Sequence, residues 1–185
     1  MSAARMITGL IGAFGGGAVG RMLGGRTGGM IGSMAGSMLS RGGGGGLGSM
    51  LGGLMGGGKD KEDAAQAAAN MPEDEAMVLI RAMTNSAKAD GQVDSQEINA
   101  IIEQAGPLDP EDEELLRSEL QSPLDLDGLL AQVPSGLEAE VYAVSLLPIK
   151  VDTPEEVTYL QSLAQGLGLN SDQVRSIHEE LGLNN

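Results

Sequence analysis

The sequence predicts an all-α protein: a compact bundle of six to seven short helices, preceded by a glycine-zipper segment that is helical in a membrane or disordered. Three observations carry this reading. Beyond residue 72, proline- and acid-marked helix starts recur between apolar residues spaced three and four apart, and no stretch alternates as a strand does. Of the 30 glycines, 23 lie in residues 1–58, with 8 of the 11 methionines. Charge divides at the same place: residues 1–59 hold five bases and no acid, whereas residues 60–185 hold all 26 acids against six bases. The expected organisation is a Gly-rich segment over 1–58, a charged Ala-rich linker over 59–71 and an acidic helical domain over 72–185.

The first segment is periodic. Glycine occupies Gly12, Gly16, Gly20, Gly24, Gly28, Gly32 and Gly36, then Gly44, Gly48, Gly52 and Gly56, with Ser40 the single interruption. Residues four apart share a helix face, so a helix here carries a continuous groove of small residues. Membrane helices approach one another closely along such grooves. This assigns Gly12 through Gly36 to self-association and the segment to a membrane. A flexible linker and soluble self-association are the competing readings, since glycine costs about 0.5–1 kcal/mol per residue in a water-exposed helix. The uncharged stretches, 6–20, 27–40 and 42–58, are shorter than the ~20 residues a bilayer core requires. The start, MSAARMITGLIGAFGGG, lacks a small-residue cleavage site. It is expected to be retained rather than removed as a signal peptide.

The helices of the acidic part follow from local signals. Pro72 with Glu73, Asp74 and Glu75 opens the first, acids at the positive end of the helix dipole, and Ala76, Ile80, Met83 and Ala87 line one face. Asp94 with Glu97 forms a capping-box start for Ile98, Ile101 and Ile102. Asp109-Pro110 opens a third helix with Leu115, Leu116 and Leu120. Pro123 precedes a short one with Leu126, Leu129 and Leu130. Leu137, Val141 and Val144 mark the fifth, and Thr153-Pro154-Glu155 starts the sixth, with Val157, Leu160 and Leu163. Asn170 or Ser171 caps the last, which carries Val174, Ile177 and Leu181. With three aromatic residues in the chain, the core must be aliphatic.

Charge and residue chemistry narrow the function. An acidic domain repels phosphate backbones, so nucleic acid is excluded as the expected partner, and basic partners or cations suit it. There is no cysteine, which removes disulfide and thiol chemistry. No Gly-Lys-Ser/Thr follows a strand, so the glycine run is no phosphate loop. The single histidine, His178, has no nucleophile placed beside it and reads as a partly buried or a helix-end residue. No catalytic residue is assigned, and the expectation is a non-enzyme.

The string Ala87-Lys88-Ala89-Asp90-Gly91-Gln92-Val93-Asp94-Ser95-Gln96-Glu97 partly follows a calcium loop. Asp90, Asp94 and Glu97 take ligand positions, but Ser86 and Lys88 stand where the leading acids belong. The competing reading is structural: Gly91 turns the chain, Val93 plugs the core and Asp94 caps a helix. A weaker copy, Lys150-Val151-Asp152-Thr153-Pro154-Glu155-Glu156, hints at a duplication. It would bring Asp152, Glu155 and Glu156 towards the first set, with Asp152 and Glu156 joining it as a candidate site for a divalent cation (Ca or Mg), or the cluster is a solvated face.

At these strings the sequence resembles the TerB-like helical fold, named for a bacterial tellurite-resistance protein, over residues 73–183. With its Gly-rich N-terminus it looks like the YebE-type bacterial inner-membrane proteins. The resemblance implies a compact helical fold, a membrane setting and acidic patches for cations; the expected location is the bacterial inner membrane with the acidic domain on the cytoplasmic side. The motif carries onto Asp90, Gly91, Glu97 and Asp152, while Asp152-Thr153-Pro154 departs from the Asp-Gly of the pattern. The expected function is a membrane-associated interaction or stress-response protein, its first segment anchoring or oligomerising, its helical domain binding a protein partner or cation. The alternative is a soluble cytoplasmic domain that binds divalent cations and carries a flexible Gly-rich tail.

Overall fold

The computed structural model describes residues 3–16, 71–91, 93–149, 153–181 and 183. Among them are eight helices and no strand: α1 (Ala3–Gly16), α2 (Glu73–Ser86), α3 (Ser95–Ala105), α4 (Pro110–Gln121), α5 (Leu126–Leu130), α6 (Glu138–Ser145), α7 (Pro154–Gly166) and α8 (Ser171–Glu180). The all-α expectation holds, and each expected helix start from Pro72 onward coincides with an observed one.

Capping explains why these boundaries are readable. Asp94 accepts from the amides of Gln96 and Glu97, and the Glu97 carboxylate accepts from the Asp94 amide, closing a capping box at α3. Thr153 and Glu156 do the same at α7, and Asn170 and Gln173 at α8. Each box satisfies amides that have no partner within their own helix. Pro110 stands in the first turn of α4, where its missing N–H costs nothing. At the other end of α7, Gly168 takes φ 71°, and the amide of Leu169 donates back to the Ala164 carbonyl. That left-handed position ends the helix and favours glycine.

The core is organised around α2. The sequence predicts one apolar face for this helix, yet Ala76, Val78, Leu79, Ile80, Ala82 and Met83 are all buried, as are Thr84, Asn85 and Ser86. Helix α2 is enclosed because α1, α4, α5 and α6 pack around it. Its polar residues are satisfied at short range. Ser86 donates to the Ala82 carbonyl at 2.6 Å, and the Asn85 amide nitrogen donates to the Asp125 carbonyl at 3.1 Å, tying the end of α2 to the start of α5. Helices α7 and α8 lie against α6, and α3 against α1 and α4.

Helix α1 is the departure from expectation. Met6, Ile7 and Leu10 are completely buried, with Ile11 and Phe14 nearly so, in one apolar cluster with α2 and α3. A β-carbon on Gly9 would lie 2.0 Å from the Ala105 carbonyl oxygen, so glycine is what lets the α1 backbone cross the end of α3. Thus Ala3–Gly16, from the segment set apart as Gly-rich, shares the core of the acidic domain. The 58/59 boundary itself and residues 17–70 lie outside the described residues.

The expectation of a transmembrane helix is overturned: among the described residues no helix is long and apolar enough to cross a membrane. Helix α1 has 14 residues. With a rise of about 1.5 Å per residue it reaches roughly 21 Å, short of a hydrocarbon core about 30 Å thick. Its apolar side chains are covered by α2 and α3 instead. Gly12 and Gly16 lie within α1, whereas Gly20, Gly24, Gly28, Gly32 and Gly36 fall outside the described residues.

Candidate functional site

The connection between α2 and α3 is the most distinctive string in the sequence, and its side chains separate into capping and packing roles. Asp94 and Glu97 are exposed but committed to the α3 capping box. Asp90 is exposed at the turn, Gly91 takes φ 156°, and the half-buried Val93 packs against the core. Glu156 is buried and closes the α7 box. Asp152 lies outside the described residues. Helix α3 packs on α1 and α4, and α7 on α5 and α6, so the two boxes sit on helices with different neighbours. Among the described residues no group of three or more acidic or histidine side chains is placed to hold a metal ion.

Lys88, the residue that spoils the calcium-loop pattern, has a clear task. It is buried, and its Nζ donates to the carbonyls of Glu119 and Ser122, both at 2.9 Å, closing the C-terminal end of α4. The last carbonyls of a helix lack internal partners and carry the negative end of its dipole, so an ammonium there is doubly suited. Burial lowers the Lys88 pKa, and the Glu119 carboxylate acts in the opposite sense. Spacing alone puts Lys88 at a ligand position, and only the place of α4 shows where its side chain goes.

The other described bases of the acidic domain are also engaged. Arg81 pairs with Glu119 at 3.1 Å and donates to Gln132. Arg117 pairs with Glu113 at 3.1 Å and donates to Asn99, and Arg175 lies 3.7 Å from Asp172. Among the described residues, carboxylates thus far outnumber the bases that could balance them. One consequence is seen where α2 and α6 begin. Burial, with the Glu138 and Glu75 carboxylates alongside, pushes the Glu140 carboxyl above its usual value. In the sequence Glu75 and the pair Glu138 and Glu140 are only first-turn residues of two separate helices, and nothing in the chain order pairs residue 75 with residue 140.

His178 is half-buried at the end of α8, stacked on Tyr142 with ring centroids 5.9 Å apart, and its Nε2 lies 3.1 Å from the Tyr142 hydroxyl. Burial lowers its pKa, so folding favours the neutral ring. Its contribution to stability is therefore complete above about 6.5, the unfolded value. It is lost as pH falls from there through the lower folded value. Because the chain has one histidine, its proton resonances report this directly. The expected titration midpoint lies below the ordinary value of 6.5, and a midpoint above that value would contradict the burial.

An open groove of about 420 Å³ runs between the segment entering α5 and the start of α7, lined by Leu124, Leu126, Pro154, Glu155, Thr158, Tyr159 and Ser162. Two of its hydroxyls are directed into their own helix. Thr158 donates to the Pro154 carbonyl at 2.8 Å and Ser162 to the Thr158 carbonyl at 2.9 Å. Among the described residues, the hydrogen bonds of these two hydroxyls go to backbone carbonyls and not to a base that would activate them.

A family model described as a protein of unknown function, DUF533, matches residues 8–181. The chain belongs to that family. DUF533 is a TerB-like family, so the resemblance seen in AKADGQVDSQE and DTPEE is upheld at that level. The DUF533 match begins inside α1, in accord with a helix that packs as part of the domain. Neither the curated proteins nor the solved structures provide a match.

Proposed function

We propose that this DUF533 protein is a non-enzymatic binding protein whose acidic helical domain takes up cationic ligands, divalent cations first among them, through its field rather than through a chelating site. One observation carries this reading. The described bases of the domain are consumed internally, at Glu119, Glu113, Asp172 and the carbonyls that end α4, which leaves the exposed carboxylates in large excess. Residues 60–185 hold 26 acids against six bases. Such a surface concentrates cations over a distance of about 8 Å at physiological ionic strength. The narrower likeness, to YebE-type proteins, rests mainly on glycines outside the described residues and points to a bacterial setting.

Calorimetric titration of the full chain with calcium and magnesium tests the reading. The expected result is weak binding, in the millimolar range, similar for the two ions and largely lost in about 0.5 M sodium chloride. A saturating micromolar site selective for calcium would replace the field by a coordination site. No heat and no thermal shift at millimolar ion would end the cation reading altogether.

A further inference from the structure

We propose that the apolar groove between α2 and α3 is a helix-binding site that accepts α1 from a second copy of this chain, so that two copies exchange their first helices. The site is built for an apolar helix carrying a glycine. Met6, Ile7, Leu10, Ile11 and Phe14 fill it, and Gly9 passes where any side chain would strike the Ala105 backbone. The whole of 17–72 separates Gly16 from Glu73, so α1 reaches the groove across a long connection. A connection of that length holds α1 near its own groove at an effective concentration on the order of millimolar or lower. The contacts that seat α1 are the same whichever chain supplies it, which is the condition for exchange at little cost. The net charge of −15 sets two copies against each other, so the exchanged dimer gains on the monomer as salt rises.

The test uses the full chain and a fluorescent peptide of residues 1–16. Wild-type chain is expected to form dimers that increase with concentration and with salt, measured by light scattering, and that dissolve in excess peptide. The peptide binds full-length Gly9→Leu about tenfold more tightly than wild type, because the variant's own α1 no longer competes for the groove. The Gly9→Leu peptide does not bind. If the Gly9→Leu chain shows no helical circular dichroism, the dissolution of wild-type dimers by wild-type peptide decides the matter alone. Wild-type chain that stays monomeric to millimolar concentration seats α1 only in its own groove and overturns the proposal. Dimers that persist in excess peptide, or a Gly9→Leu peptide that competes as well as wild type, overturn it too.

Discussion

Replacing Leu10 by alanine will destabilise the whole helical domain, by about 2–5 kcal/mol, although the residue lies in a segment that reads as a separate Gly-rich tail. Leu10 is fully buried, in one cluster with Ile7, Ile11 and Phe14 and with residues of α2 and α3. Removing its branched end leaves a cavity that α1 cannot collapse into, since Gly9 already holds the backbone against Ala105. Small domains have a net stability of about 5–15 kcal/mol, so a loss of this size is a large share of the total. The two tyrosines, Tyr142 in α6 and Tyr159 in α7, lie on elements that follow α1 by more than a hundred residues. Urea unfolding followed by tyrosine fluorescence and by helical circular dichroism should show both midpoints falling together in Leu10→Ala. An unchanged tyrosine midpoint would mean that α1 is not part of the cooperative unit.

Lys88→Met will cost about 1–3 kcal/mol and loosen the end of α4. Methionine keeps the apolar stem but leaves the carbonyls of Glu119 and Ser122 without the donor that now closes them. Burial of the ammonium works in the opposite direction, as its lowered pKa shows, so removing the charge returns part of the loss. Hydrogen exchange separates the two effects. Amide protection should fall over residues 118–122 more than in α6 or α8, and stability should fall in the same variant. Full protection at the end of α4 with unchanged stability would show that the Lys88 bonds contribute nothing.

Helix starts are legible because their causes are local. Asp94 and Glu97, Thr153 and Glu156, and Asn170 and Gln173 lie three residues apart. Each pair satisfies its own backbone groups wherever the helix is placed. The TerB-like likeness is legible for the same reason, since the string that carries it links α2 to the capped start of α3. The candidate cation residues are legible as acids but not as a site. Asp94, Glu97 and Glu156 are the residues that local capping would select in any case. Their shared type therefore carries no information about whether they meet. The same arithmetic misplaces Lys88: spacing sets it at a ligand position, and the end of α4 decides otherwise.

By itself the sequence determined the all-helical class, the order and starts of the helices from α2 to α8, and the acidic character of the surface. Those properties depend on residues a few positions apart, or on composition. Only the tertiary structure decided where α1 goes. An apolar helix interrupted by glycine satisfies a bilayer, a second such helix and a protein groove by the same physics, because each is an apolar medium that permits close backbone approach. What distinguishes them is the groove, made by α2 and α3 from residues far along the chain. The glycine that matters there, Gly9, stands outside the fourfold series that draws attention to the segment.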